Sequence, residues 1–121
     1  MRSSGALLAA LLVIACAGAP PQPPDPVAAA ASDPAALERG RKIFVGTCAG
    51  YCHVASGHGL GNAPDLLDCE WRHGDSDAEI FAVMHDGVPG TAMLGFAGRI
   101  PDEDLWRVLA YLRKASHCAR R

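Results

Sequence analysis

Two cysteines and a histidine lie close together near the middle of the chain, in the run Cys48-Ala49-Gly50-Tyr51-Cys52-His53. A cysteine thiol can add across a vinyl group of haem, and a histidine directly after it is then placed to bind the iron. The usual spacing for this chemistry is C-x-x-C-H, and the spacing here, C-x-x-x-C-H, is one residue longer. The run therefore predicts a covalently attached haem. The competing interpretation is a pair of structural cysteines followed by an unrelated histidine.

The extra residue leaves two roles open for Cys48. It can bond the second vinyl group, with Gly50 absorbing the insertion because glycine adopts backbone angles that other residues avoid. Alternatively Cys52 forms the only thioether and Cys48 pairs with Cys69. In the first case Cys69 pairs with Cys118, or both stay free, since spacing alone does not choose a disulfide connectivity. We predict two thioethers, from Cys48 and Cys52.

The sequence on both sides of this motif resembles the class I cytochromes c. Gly40 and Phe44 match the first helix of that family. Three later segments resemble its proline loop, its methionine loop and its closing helix: residues 61–66, 90–96 and 101–113. The resemblance implies an all-α domain of three to four helices packed around one covalent haem c. It also implies that Gly40 lets the closing helix approach the first one near Tyr111.

The same resemblance assigns the iron's ligands. It implies that the Pro64 carbonyl accepts a hydrogen bond from His53, which fixes the imidazole ring, and that Met93 is the second axial ligand. Met84 recurs at helical spacing with other apolar residues, so we expect it in the core, and His85 is the next candidate for the second ligand. Because both axial positions are then filled, no substrate reaches the iron, and we expect no enzyme activity.

The N-terminus has the features of an export signal. Residues 1–15 contain Arg2 and then an apolar run that is too short for a permanent membrane span. The segment Val13–Cys16 resembles a lipobox, so we expect cleavage before Cys16 and a lipid on its sulfur, which would hold the protein at a membrane surface. The alternative is ordinary cleavage after Ala19.

The rest of the chain divides into a linker and a domain. Residues 16–33 are rich in proline and alanine and predict an extended linker. Residues 34–121 form the predicted cytochrome c domain. Within it, capping patterns predict helix starts at Pro34, Ser76 and Pro101.

Composition narrows the function classes. The formal net charge is −2 and the chain has no basic patch, which argues against nucleic-acid binding. Five cysteines are many for a reducing compartment. Three Phe, two Trp and two Tyr give few large rings for the core of a domain this small, and a buried haem would supply the missing apolar surface.

Together these features predict a monomeric, monohaem c-type cytochrome at the periplasmic or another extracytoplasmic face, lipid-anchored to the membrane. It would carry single electrons from a redox protein, such as a periplasmic dehydrogenase, to a cytochrome or an oxidase. One alternative is a haem-based ligand sensor or peroxidase with a labile sixth ligand. Another is a disulfide-stapled binding module without haem.

Overall fold

The regular structure of the residues described below is helical. The computed structural model describes residues 23–56 and 58–117, so the predicted signal peptide, Cys16 and Cys118 lie outside the described residues. The described part contains four α-helices and one π-helical turn: α1 (Pro26–Ser32), α2 (Pro34–Ile43), the π-helical turn (Phe44–Cys48), α3 (Asp77–Asp86) and α4 (Asp102–Ala115). Among these helices none is both long and apolar enough to cross a bilayer. The predicted all-α fold is confirmed.

Helix α1 corrects the predicted extended linker of residues 16–33, which is wrong over Pro26–Ser32. The Asp25 carboxylate caps the helix by accepting hydrogen bonds from the backbone N–H groups of Val27 and Ala28, at 2.9 and 3.2 Å. Proline suits the first helical position and alanine has the highest helix propensity. Val27 and Ala30 are buried, and α1 packs against α2 and α4. The packed part of the described chain therefore includes α1 as well as the residues from 34 onward.

The predicted helix starts are confirmed to within a residue. Asp33 caps α2 by accepting a hydrogen bond from the Ala35 N–H at 2.8 Å. Ser76 and Glu79 form a reciprocal capping box at the start of α3, and α4 begins directly after Pro101. These starts depend on local side-chain chemistry, which explains why the sequence alone located them.

Gly40 sits where α2 and α4 cross. A Cβ at this position would lie 2.1 Å from the carbonyl oxygen of Arg107 and 3.0 Å from the backbone nitrogen of Val108, so a larger residue would push the helices apart. The expected close approach is thus confirmed, but it occurs about one turn before Tyr111. The Tyr111 ring instead contacts Phe44, with ring centroids 5.7 Å apart.

The core is centred on α4. The buried apolar residues of this helix are Leu105, Val108, Leu109, Ala110 and Leu112. Phe44, Ile80 and Met84 belong to the same cluster. The Met84 residue is only 7% exposed, which confirms its predicted core position.

One carboxylate is buried among these apolar residues. Asp104 is 3% exposed. Its Oδ1 accepts hydrogen bonds from Arg39 Nε at 2.6 Å and from Arg107 Nη1 at 2.7 Å. Because Arg39 belongs to α2 and Asp104 to α4, this ion pair joins the two helices whose backbones meet at Gly40.

Candidate haem-binding site

His53 is the most buried polar residue of the predicted motif, with 6% of its surface exposed. Its ring nitrogen Nδ1 lies 3.0 Å from the carbonyl oxygen of Pro64. Since a carbonyl oxygen only accepts, Nδ1 carries the proton and the other nitrogen, Nε2, keeps its lone pair. Burial lowers the pKa of His53, while the bond to Pro64 acts in the opposite direction. A neutral imidazole is the form that binds a metal, so His53 suits an axial ligand.

The loop after the motif places Pro64 over the histidine. The backbone N–H of Leu60 donates to the Cys52 carbonyl at 2.9 Å, which folds the loop back on the motif. At Gly59 a Cβ would lie 1.7 Å from the Ala63 carbonyl oxygen. Only glycine fits this contact, and it lets the chain turn tightly enough to bring Pro64 within hydrogen-bond distance of the ring. The hydrogen bond implied by the resemblance is therefore present.

The two motif cysteines are both free thiols and both half-buried. Cys48 packs against the hydrophobic core. Burial, and to a smaller extent Cys52, raises the pKa of Cys48 to about 11, so its thiol stays protonated at neutral pH. Cys69 is disulfide-bonded. The Cys48–Cys69 bridge considered from the sequence is therefore absent, and the other partner considered, Cys118, lies outside the described residues.

Met93 lies on the loop between α3 and α4 and is half-buried. Its carbonyl accepts a hydrogen bond from the Val88 N–H at 2.9 Å, and its N–H donates to the Thr91 hydroxyl at 3.1 Å. The loop lies directly against the end of α3, since a Cβ on Gly95 would be 2.5 Å from the His85 carbonyl oxygen. The two predicted axial ligands thus come from two separately held loops.

His85 was the second candidate for this ligand, and its ring is engaged elsewhere. Its Nδ1 lies 2.6 Å from an Asp86 carboxylate oxygen, and its Nε2 lies 3.6 Å from one of Asp102. The ring also stacks on Phe81, with centroids 5.6 Å apart. The hydrogen bond to Asp86 is the main cause of a raised pKa at His85. These contacts favour Met93 over His85 as the ligand.

Residues at and just after the C-terminal end of α4 contact the loop that carries Pro64. The Arg113 guanidinium lies 5.5 Å above the Trp71 ring, and its Nε donates to an Asp77 carboxylate oxygen at 2.8 Å. The backbone N–H of His117 donates to the Leu67 carbonyl at 3.3 Å. Trp71 itself is half-buried and packs against the core.

The side chains of this site suit a haem iron better than a metal ion bound by protein side chains alone. The described residues contain no group of three or more His, Cys, Asp or Glu side chains able to hold a metal ion. They do offer one neutral imidazole, one thioether and two cysteine side chains. An iron that arrives inside a macrocycle needs only axial ligands from the protein, which is what these groups supply.

Comparison with known proteins agrees with this chemistry. The chain is 34% identical over 71 residues to the cbb3-type cytochrome c oxidase subunit CcoP of Rubrivivax gelatinosus, a match that covers 59% of the chain and 20% of that relative. The fold is similar to cytochrome cL of Methylophaga aminisulfidivorans, with a TM-score of 0.64 and 20% identity over 71% of this chain and 57% of that one. It is also similar to cytochrome cL of Hyphomicrobium denitrificans, with a TM-score of 0.61 and 25% identity over 74% of this chain and 51% of that one.

The chain thus spans a fifth of the curated relative and somewhat more than half of each solved structure. A family model described as cytochrome c oxidase, cbb3-type, subunit III matches residues 35–112, which include every predicted haem contact. Proteins of the cytochrome c family bind haem c covalently through cysteines, and those cysteines are present here. The chain belongs to this cytochrome c family.

Proposed function

We propose that this protein carries single electrons between redox proteins outside the cytoplasm, with one haem c ligated by His53 and Met93. The observation that carries the proposal is the buried His53 directly after Cys52, its Nδ1 held at 3.0 Å by the Pro64 carbonyl. This contact orients the ring and leaves Nε2 as the nitrogen that would bind the iron. A histidine on the surface, or one whose Nδ1 pairs with a neighbouring carboxylate as in His85, would not have this arrangement.

Haem c, when bound, supplies an iron that changes its oxidation state by one electron. The residues of the chain set the conditions for that change. The hydrogen bond from His53 to Pro64 raises the basicity of the imidazole. The Met93 thioether is a soft ligand that stabilises ferrous iron and raises the reduction potential. With His53 and Met93 both binding it, the iron would be closed to substrates, and we therefore propose a carrier rather than an enzyme.

The site has apolar surroundings suited to a transient partner. Leu60 follows the histidine by one short loop and Leu94 follows Met93, and both are exposed. We propose that a redox protein docks here through a small, weak interface. The acceptor would be an oxidase or a cytochrome, as the name of the CcoP relative suggests, and the donor would be a redox protein such as a periplasmic dehydrogenase.

We also propose that lipid on Cys16 anchors the mature protein at the extracytoplasmic membrane surface. The basis is the Val13–Cys16 segment, which resembles a lipobox. The mass of the mature N-terminus tests this directly. Lipid on Cys16 is expected, and an unmodified N-terminus at Pro20 would contradict it.

Optical spectra of two matched variants test the ligand assignment. Met93→Leu removes the thioether at similar side-chain volume, so we expect loss of the sulfur-to-iron charge-transfer band and a lower potential. Met84→Leu makes the same exchange in the core and should keep the band.

The opposite pattern would show that Met84 is the ligand. A high-spin spectrum of the unmodified protein would instead support the alternative function, a ligand sensor or peroxidase with a labile sixth ligand. No haem absorbance at all would contradict the carrier altogether.

A further inference from the structure

The π-helical turn lies directly before the haem motif and continues into it. In the usual C-x-x-C-H spacing the first cysteine and the histidine are four residues apart, the separation that an α-helical hydrogen bond joins. In this chain they are five apart. The His53 N–H nonetheless donates to the Cys48 carbonyl at 3.1 Å. This is a π-type bond, whose ring holds one residue more than an α-helical one.

A second bond of the same type precedes it. The Ala49 N–H donates to the carbonyl of Phe44, five residues earlier, at 2.9 Å. The backbone thus enters the motif in a π-helical turn that ends at Cys48, and one further π-type bond spans the motif from Cys48 to His53. The ends of the motif stay in hydrogen-bonded contact, and the extra residue is taken up inside the widened turns.

The burial pattern shows where the extra residue goes. Cys48 and Cys52 are both half-buried, and His53 is buried. Between the cysteines, Gly50 is exposed and Tyr51 is 89% exposed. Tyr51, a bulky residue that is exposed between two half-buried cysteines, is therefore the residue that the turn directs toward solvent.

The conformational freedom of Gly50 is not what accommodates the extra residue of the motif. The expectation that Gly50 provides an unusual backbone angle is wrong, since Gly50 is not among the described residues with positive φ. A Cβ added there would meet nothing within 4 Å. The widened hydrogen-bonded turns alone accommodate the added residue.

We infer that these turns loop out Tyr51 and keep Cys48 in register with Cys52, so that both thiols bond haem. In each addition the sulfur bonds the vinyl carbon next to the ring, the thiol hydrogen goes to the terminal carbon, and the C=C bond becomes single. No oxidant or reductant is consumed. The inference rests on the proposed function only in requiring that haem is attached.

Deletion and insertion at Tyr51 test the inference in the full-length protein. The readouts are the pyridine haemochrome spectrum, which shifts to the red when one vinyl remains, and mass mapping of the Cys48 and Cys52 peptides. The unmodified protein should show haem on both peptides and no red shift. Cys48→Ser should shift to the red and so calibrates the single-thioether spectrum.

Deletion of Tyr51 restores the four-residue separation, and both thioethers should persist. Gly50→Ala should also retain both, because the site has room for a methyl group. Insertion of one alanine after Tyr51 lengthens the turn beyond a π-type bond, and we expect the red-shifted, single-thioether spectrum. Far-ultraviolet circular dichroism checks that each variant is folded.

Two results would overturn the inference while leaving the carrier function intact. One is a red-shifted spectrum of the unmodified protein with Cys48 open to alkylation and the sulfur-to-iron band still present. The other is loss of the second thioether in a folded Tyr51 deletion. Absence of covalent haem from the unmodified protein would overturn both this inference and the proposed function.

Discussion

At the scale of single residues, the buried carboxylate of Asp104 makes the clearest energetic prediction. The hydrogen bond from Arg39 is the largest cause of a lowered pKa at Asp104; burial opposes it, and a bond from Arg107 adds to it. A carboxylate whose pKa is lowered in the folded state stabilises the protein above its unfolded pKa, about 4. That contribution is lost as the pH falls through the folded pKa.

Asp104→Asn removes this charge at nearly constant shape. Loss of charge-assisted hydrogen bonds should lower the free energy of unfolding at pH 7 by about 1.5–3 kcal/mol. The difference from the unmodified protein should shrink as the pH falls below the unfolded pKa, about 4, and should vanish below the lower pKa that Asp104 has in the folded protein. Urea unfolding at pH 7 and in acid measures both effects.

Glu103→Gln is the matched control, because Glu103 also pairs with Arg107 but is exposed. Exposed ion pairs contribute about 1 kcal/mol or less. Equal losses in the two variants, or a difference that stays constant in acid, would contradict the role given to Asp104.

The roles of some residues could be predicted from the sequence, and those of others could not. Cys52 and His53 are adjacent, so their joint chemistry was readable directly, and Pro64 followed from the resemblance. Asp104 pairs with Arg39 across 65 positions, and Arg113 reaches Asp77 across 36. No local pattern encodes such pairs. The tertiary partners of these charged residues in α4 are therefore visible only in the fold.

At the scale of elements, the crossing of α2 and α4 depends on one missing side chain. Gly40→Ala places a methyl group against the backbone of α4, and overpacking of this kind destabilises a protein by about 1–3 kcal/mol. Gly46→Ala is the matched control: it lies in the π-helical turn, and a Cβ there meets nothing within 4 Å.

We expect Gly46→Ala to be neutral or to stabilise the protein by up to about 1 kcal/mol, because alanine loses less backbone entropy on folding than glycine. Thermal unfolding of both variants, each with haem attached, separates the two cases. If Gly40→Ala leaves the stability unchanged, α2 and α4 can move apart without lowering the free energy of unfolding.

Capping patterns explain why the sequence predicts α2, α3 and α4 but not α1. The starts of α2, α3 and α4 carry local signals that need no tertiary partner. Helix α1 carries a cap and a proline as well, but the prolines before it suggested extended chain throughout. Its Val27 and Ala30 are buried against other helices, and short helices depend on such packing. That packing is invisible in the sequence of the segment.

At the scale of the whole molecule, α1 extends the folded domain beyond the family match, which begins at residue 35. A chain shortened to begin at Asp33 keeps the cap of α2 but loses α1. Burial of a valine side chain contributes about 1.5–3 kcal/mol, so we expect the shortened chain to unfold at lower urea concentration than one that begins at Pro24. Unchanged stability would show that α1 adds nothing to the fold.

The position of α1 also limits how far the haem can travel from a membrane. With lipid on Cys16, as proposed above, only residues 17–25 separate the anchor from α1. A fully extended chain of that length spans at most about 35 Å, whereas a tether continuing to residue 33 would reach about 60 Å. The shorter distance is close to the diameter of a small domain. Electron exchange would therefore be confined to a layer about one domain thick above the bilayer, within reach of partners that are themselves held at the membrane.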